Sequence, residues 1–306
     1  MHDRFGRQLT GLRLSVTAEC HQKCFYCHHE GHRVVGEEMT SEEINRLFRV
    51  ACKAGIRKVK VTGGEPLVRE DILEIVRAGA RMFSEISMTT NGVLLAAHAS
   101  DLKEVGLARI NVSLDTLDRL LYERITGSDD VARVIEGIDE AVRVGLTPLK
   151  INMVLLSGLN DSHVHQLMDF AISRRAILQL IELNPLNGNG TNLRRYFHSL
   201  ADVEKSLAVQ ALRIETNELH GRKRYAIPFN GSVARVELVR PIGRRRFCMN
   251  CTRIRVTSDG RLKPCLMTEE GTVDFLSPLR AGASDDELLG LLENAVGNRK
   301  PYWVAE

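Results

Sequence analysis

Cys20-His21-Gln22-Lys23-Cys24-Phe25-Tyr26-Cys27 is the stretch on which the reading of this chain turns. It follows a short run of strand character, and its C-x3-C-x2-C spacing can bring three thiolates from one loop to one metal centre. Thiolate is the ligand of zinc and of iron–sulfur clusters. A four-iron cubane held by three cysteines keeps one iron without a protein ligand. That iron is open to a substrate or cofactor, much as one position stays free on a catalytic zinc. A structural zinc completed by His21, His28 or His29 is the alternative for this loop alone. Zinc pairs, however, usually come as C-x2-4-C with a distant second pair.

Outward from this loop, strand-like runs alternate with helical patterns as far as about residue 186. The strands fall at 12–17, 58–62, 85–89, 109–113, 149–155 and 177–183, and the helices at 41–54, 71–82, 100–105, 131–144 and 164–174. Thr40-Ser41-Glu42-Glu43 is a capping box at the first helix, and Gly55, Gly106 and Gly145 stand where helices stop. Such alternation implies parallel βα units. Six of them give an α/β fold, an incomplete (β/α)6 TIM-like barrel spanning residues 1–186. Ligands of such barrels sit at the C-terminal ends of strands. Those ends read Thr62-Gly63-Gly64-Glu65-Pro66, Thr89-Thr90-Asn91-Gly92, Asn111-Val112-Ser113-Leu114-Asp115, Lys150-Ile151-Asn152 and Glu182-Leu183-Asn184-Pro185. A site needs polar groups there, although singly Asn and Asp are common turn residues.

Residues 187–306 differ in character and form a small C-terminal cluster-binding region. Asn187-Gly188-Asn189-Gly190 reads as a flexible loop, followed by a helix near 202–212. One hairpin turns at Asn230-Gly231 between 224–229 and 232–239, another at Asp259-Gly260 between 253–257 and 261–265. The second carries Cys248-x2-Cys251-x13-Cys265. A zinc ribbon would want a second C-x2-C, whereas only Cys265 is offered, so a second cluster with an open iron is the preferred reading. Arg253 and Arg255 alternate on one strand face and can fork onto phosphates. A last helix, capped by Ser284-Asp285-Asp286-Glu287, runs to about 296.

A chain of 306 residues with 43% hydrophobic and 26% charged residues is an ordinary globular one. A net charge of +3 is too small to imply bulk nucleic-acid binding. The basic triplets Arg222-Lys223-Arg224 and Arg244-Arg245-Arg246 suit a phosphate-bearing ligand or a solvated face. With no apolar leader or membrane span, the expected location is cytoplasmic. Six of the seven cysteines form the two triplets, which argues for metal rather than disulfides. Cys52, amid helical residues, reads as a small buried side chain.

The cysteine loop, with an aromatic before its last cysteine, and Gly63-Gly64-Glu65-Pro66 one βα unit later resemble the radical S-adenosylmethionine (SAM) superfamily. Two three-cysteine sites flanking six βα units, with Arg13-Leu14-Ser15-Val16-Thr17 and Cys251-Thr252-Arg253-Ile254-Arg255, resemble the GTP 3′,8-cyclase family of molybdenum cofactor biosynthesis. The resemblance implies two [4Fe-4S] clusters, on Cys20, Cys24 and Cys27 and on Cys248, Cys251 and Cys265, with SAM on the first. It implies SAM contacts at Tyr26, Gly64 and Ser113, the first two largely through backbone atoms. It implies GTP contacts at Arg13, Lys60, Thr89, Lys150, Arg253, Ile254 and Arg255. The reaction it implies is that the radical made from SAM removes the 3′ hydrogen of GTP and the sugar carbon closes onto C8 of the guanine, with the second cluster's open iron meeting the guanine. A one-electron reductant and a downstream pterin-forming enzyme are the implied partners, and a homodimer is left open.

The chain departs from the family pattern at three places. Lys60 stands where many members have arginine, keeping the charge but losing the fork. Asn184 stands where many have a SAM-contacting methionine, and Pro301-Tyr302-Trp303-Val304-Ala305-Glu306 stands where many end in Gly-Gly, so that another element replaces that tail or substrate handling differs. The rival readings are a peptide-modifying radical SAM enzyme with an auxiliary cluster and a zinc module binding nucleic acid.

Overall fold

Strict alternation of apolar and polar residues along the strands decides which way each strand faces. The computed structural model describes residues 1–31, 36–184, 193–217, 219–241 and 244–301. The N-terminal part runs β1 (Gly11–Ser15), α1 (Ser41–Lys53), β2 (Lys58–Thr62), α2 (Ile72–Met82), β3 (Glu85–Thr90), α3 (Leu95–Glu104) and β4 (Arg109–Ser113). It continues through α4 (Arg119–Thr126), α5 (Val131–Arg143), β5 (Leu149–Leu155), α6 (Val164–Ser173) and β6 (Ile177–Glu182). Then come α7 (Leu200–Gln210), β7 (Arg213–Thr216), β8 (Lys223–Phe229), β9 (Ser232–Val239), α8 (Arg245–Met249) and β10 (Arg253–Val256). β11 (Arg261–Lys263), β12 (Val273–Asp274), α9 (Leu276–Arg280) and α10 (Asp285–Gly297) finish the described elements.

Strands β1 to β6 lie side by side in chain order, all parallel, as the βα alternation predicts. Both expected hairpins form, but neither stands apart. β9 joins the sheet parallel to β6 and β10 joins it parallel to β1, so residues beyond 187 extend the barrel wall at both edges. Leu12, Leu14, Val59, Val61, Ile86, Met88, Ile110 and Val112 are at most 1% exposed and pack outward against the helices. Burying each such side chain contributes roughly 1.5–3 kcal/mol. A Cβ on Gly79 of α2 would lie 2.4 Å from Ile86 Cδ1, so a larger residue there would make the Ile86 side chain shift.

The alternate positions carry the polar row. Arg255, Arg13 and Lys60 are register partners on β10, β1 and β2, and Asn111 pairs with Lys150 across β4 and β5. Asn152, Gln179, Glu237 and Arg224 continue the row across β5, β6, β9 and β8. A (β/α)8 barrel fills its interior with branched apolar side chains. A charged lining is therefore the mark of a site within the wall.

Three local expectations change. Helix α3 starts at Leu95, five residues ahead of the expected 100, because Leu95-Ala96-Ala97 are strong helix formers. Helix α4 was not expected; Asp118 caps it through Leu121 N, and Gly127 ends it in the left-handed conformation at φ 71°. Cys52 is exposed on α1, its Sγ 3.4 Å from the Met82 carbonyl, rather than buried.

Candidate active site

The cysteine loop is fastened from three sides. Lys23 N and Phe25 N donate to the Thr126 and Ile125 carbonyls, which α4 leaves unpaired at its C-terminus. Gly64 N and Glu65 N donate to Thr17 O and Glu19 O at 2.8 and 2.7 Å. A Cβ on Gly64 would stand 2.1 Å from Glu19 O, so this turn admits only glycine. Glu65, fully buried, accepts from Thr90 Oγ1 and Asn91 N, both at 2.6 Å, which ties the second strand end to the third. Burial pushes the Glu65 carboxyl up to about 7. On the fourth strand end Asp115 Oδ2 accepts from Tyr26 Oη at 2.5 Å, while Asp115 Oδ1 takes Val154 N. Burial pushes the Asp115 carboxyl up to about 6.

Cys20, Cys24 and Cys27 line one cavity of about 720 Å³ together with Gly63, Gly64, Arg13, Glu30, Arg255 and Lys263. Burial first, then mutual proximity and neighbouring carboxylates, raises the Cys24 thiol, and burial raises those of Cys20 and Cys27. Thiols so placed become thiolates when metal takes the proton's place. Among the described residues no three His, Cys, Asp or Glu side chains converge on a single ion. Three thiols spread round one wall suit a cubane, whose irons each take a separate thiolate. His28 Nδ1, beside Cys27, is enclosed without a hydrogen-bond partner. The donor set fits an iron–sulfur cluster.

The second triplet lies across the arginine row. Cys248 is buried, and Cys251 and Cys265 are half-buried. Asp3, Arg7 and Arg299 form a buried network, and Arg7 Nη1 and Arg299 Nη2 hold the carbonyls of Cys248 and Cys251. Cys251 and Cys265 both act electrostatically on Arg255, and Cys251 acts on Arg253. Ile254, between them, faces outward and is fully buried in the core, so only its peptide is on offer.

The inward cations do not stand free. Arg13 Nε and Arg255 Nη1 donate to Glu30 Oε2 at 2.9 and 2.8 Å, and Thr62 Oγ1 donates to Glu30 Oε1 at 3.0 Å. Arg13 and Arg255 hold the Glu30 carboxyl well below the usual range despite its burial. Glu30 sits in the left-handed region at φ 53°, where a non-glycine residue is strained. Lys60 Nζ meets only neutral oxygens, Asn111 Oδ1 at 2.9 Å and Thr89 Oγ1 at 3.4 Å. Burial and four neighbouring cations push the Lys60 ammonium well below its ordinary value. Lys150 Nζ bonds Glu237 Oε2 at 2.6 Å, and burial pulls its ammonium down to about 8 despite that carboxylate. Ser113 is half-buried at the end of β4. Asn184 Nδ2 lies 3.3 Å from Met267 Sδ. Pro185, the 187–190 loop and the 302–306 ending lie outside the described residues.

Residues 14–171 match the radical SAM superfamily, and residues 176–305 match the Molybdenum Cofactor Synthesis C family. A relative from Thermococcus kodakarensis, named "Probable GTP 3′,8-cyclase", is 48% identical over 306 residues, covering 99% of each chain. A relative of the same name from Pyrococcus abyssi is 46% identical, again over 99% of each. The chain belongs to the radical SAM superfamily and its GTP 3′,8-cyclase family. In fold, this family member is similar to Streptococcus suis SuiB bound to S-adenosylmethionine, with a TM-score of 0.66 at 18% identity over 93% of this chain and 68% of that one.

For this radical SAM chain, sequence reasoning missed Glu30 and Glu237. Glu30 follows Cys27-His28-His29 and reads as a turn residue; only the fold brings Arg13 and Arg255 onto it, from 17 and 225 positions away. Glu237 is a charge at an inward position of β9, and its place amid the apolar Val236, Leu238 and Val239 was the available signal. Against its burial, the Arg222, Lys150 and Arg224 cations hold its carboxyl down at about 2. A carboxyl depressed from about 4.5 stabilises the fold above that value, and the contribution is lost as pH falls toward about 2. The stability gap between the parent and Glu237→Gln, measured by urea unfolding, therefore narrows as pH falls from about 6 to about 4. A gap that widens would contradict the assignment.

Proposed function

We infer that this chain is a radical SAM GTP 3′,8-cyclase, converting GTP to (8S)-3′,8-cyclo-7,8-dihydroguanosine 5′-triphosphate in the first step of molybdenum cofactor biosynthesis. The carrying observation is one polar row with a thiol triplet at either side of it. Cys20, Cys24 and Cys27 would hold one [4Fe-4S] cluster, and Cys248, Cys251 and Cys265 a second. With SAM on the first cluster, the bound group supplies one-electron cleavage of SAM and the radical that takes a hydrogen atom from the substrate. Tyr26, Gly64 and Ser113 would seat SAM at the strand ends.

The protein's own part is positioning and exclusion. The Tyr26–Asp115 bond fixes the last turn of the cysteine loop to β4. Arg13, Lys60, Thr89, Lys150, Arg253 and Arg255 would receive GTP, Ile254 through its peptide. Arg13 and Arg255 exchange the Glu30 carboxylate for the substrate's phosphates when GTP enters, so until then Glu30 offsets one of the two charges on a pair of half-buried guanidinium groups. A one-electron reductant feeds the reaction and a pterin-forming enzyme consumes the product. Among the described residues, no helix is long and apolar enough to cross a membrane.

Arg255→Ala should weaken GTP binding by about 1.5–3 kcal/mol, the range for a hydrogen bond to a charged group. Guanosine, lacking phosphates, should lose little. Equilibrium dialysis of both ligands against cluster-loaded protein checks this, and equal GTP affinity with intact clusters would remove Arg255 from the phosphate site. The experiment for the function itself is anaerobic incubation with SAM, reductant and GTP. A cyclised nucleotide that forms only when all three are present supports it.

A further inference from the structure

Asp3, Arg7 and Arg299 are all buried, and together they set one carboxylate against two guanidinium groups. Asp3 Oδ2 lies 2.7 Å from Arg7 Nε and forms an ion pair with Arg299 Nη1 at 3.1 Å. Asp3 Oδ1 accepts from Phe5 N and Arg7 N, both at 3.0 Å. The carboxylate is fully used, and one positive charge is left over within the group. Arg7 Nη2 and Arg299 Nη1 are enclosed without a hydrogen-bond partner. Surplus guanidinium charge away from water is costly unless an anion lies beside it.

What lies beside it is the second thiol triplet. Arg7 Nη1 donates to the Cys248 carbonyl at 3.0 Å, and Arg299 Nη2 donates to the Cys251 carbonyl. Cys251 N closes the turn by donating to Cys248 O at 3.1 Å. Both guanidinium groups therefore grip the one turn that carries two of the three thiols, Arg7 from ahead of β1 and Arg299 from just past α10. A four-iron cluster on three thiolates carries net negative charge, and nearby charge and hydrogen bonds set its reduction potential. Arg253 and Arg255 also lie close to these thiols, but they belong to the substrate row, and Arg255 is shared with Glu30.

We propose that the surplus positive charge of Arg7 and Arg299 is the counter-charge of the second iron–sulfur cluster, holding its cysteine turn in place and raising its reduction potential. This rests on the two-cluster reading above. Arg7 and Arg299 are positioning residues, acting through the cysteine turn, and Asp3 sets how much of their charge the cluster feels.

The test takes full-length protein with Cys20, Cys24 and Cys27 replaced by alanine, which keeps the second triplet alone. It is reconstituted anaerobically with iron and sulfide, and its cluster is titrated with dithionite in the presence of redox mediators. Arg7→Met and Arg299→Met should move the midpoint potential to more negative values, because less positive charge remains to favour the reduced cluster. Asp3→Asn keeps the shape and exposes more of the arginine charge, so it should move the potential the opposite way. Arg299→Lys, which keeps the charge, should stay nearer the parent value than Arg299→Met. The two methionine variants should also lose iron to a chelator about tenfold faster than the parent. If they retain no iron at all, Asp3→Asn and Arg299→Lys still decide the sign. Potentials that are unmoved, or that shift the same way in Asp3→Asn as in the arginine variants, would mean a purely structural network and overturn the proposal. A background protein that binds no iron refutes the second cluster itself; iron bound with an unmoved potential refutes this proposal alone.

Discussion

Replacing Cys20, Cys24 and Cys27 together should leave a protein with about half the parent's iron and no SAM cleavage. The parent, reconstituted anaerobically, should be brown and hold about eight irons, as two four-iron cubanes require. The loss is confined because the two triplets are held by different parts of the chain. The first hangs on α4, the Gly63-Gly64 turn and Asp115. The second hangs on Asp3, Arg7 and Arg299, residues from the two ends of the chain. Iron and sulfide counts with the absorption spectrum check this. A colourless parent carrying stoichiometric zinc would contradict it.

The second large effect separates the triplets by role. Cys265→Ala should spare reductive SAM cleavage and stop GTP conversion. Cys265 lies beyond β11 and near Arg255, while among the described residues the backbone bonds that fasten the cysteine loop are made elsewhere. Measuring 5′-deoxyadenosine and cyclised nucleotide in parallel distinguishes the two activities. Conversion of GTP at the parent rate by Cys265→Ala would end the assignment of the second cluster.

The barrel was legible because its strands obey a period of two and its helices end on glycine. Residues 58–62 and 149–155 could be placed to the residue from that pattern. The two cysteine triplets were legible from their spacing alone. What stayed hidden are relations between distant positions. Arg222-Lys223-Arg224 looks like a solvated face, yet Arg222 and Arg224 turn onto Glu237, because β8 pairs with β9 and sets Arg224 opposite it. Arg253 and Arg255 could be seen to share a face, but not that Glu30 occupies Arg255. Helix α4 was missed because its eight residues carry arginines and a tyrosine amid few apolar repeats. Its C-terminal carbonyls turn out to anchor the cysteine loop.

The most direct test of the central claim follows one hydrogen atom. Cluster-loaded protein is incubated anaerobically with reductant, SAM and GTP deuterated at C3′, and the 5′-deoxyadenosine is analysed by mass spectrometry. The account predicts one deuterium in 5′-deoxyadenosine, formed together with a 3′,8-cyclised nucleotide. Unlabelled 5′-deoxyadenosine, with GTP recovered unchanged, would contradict it.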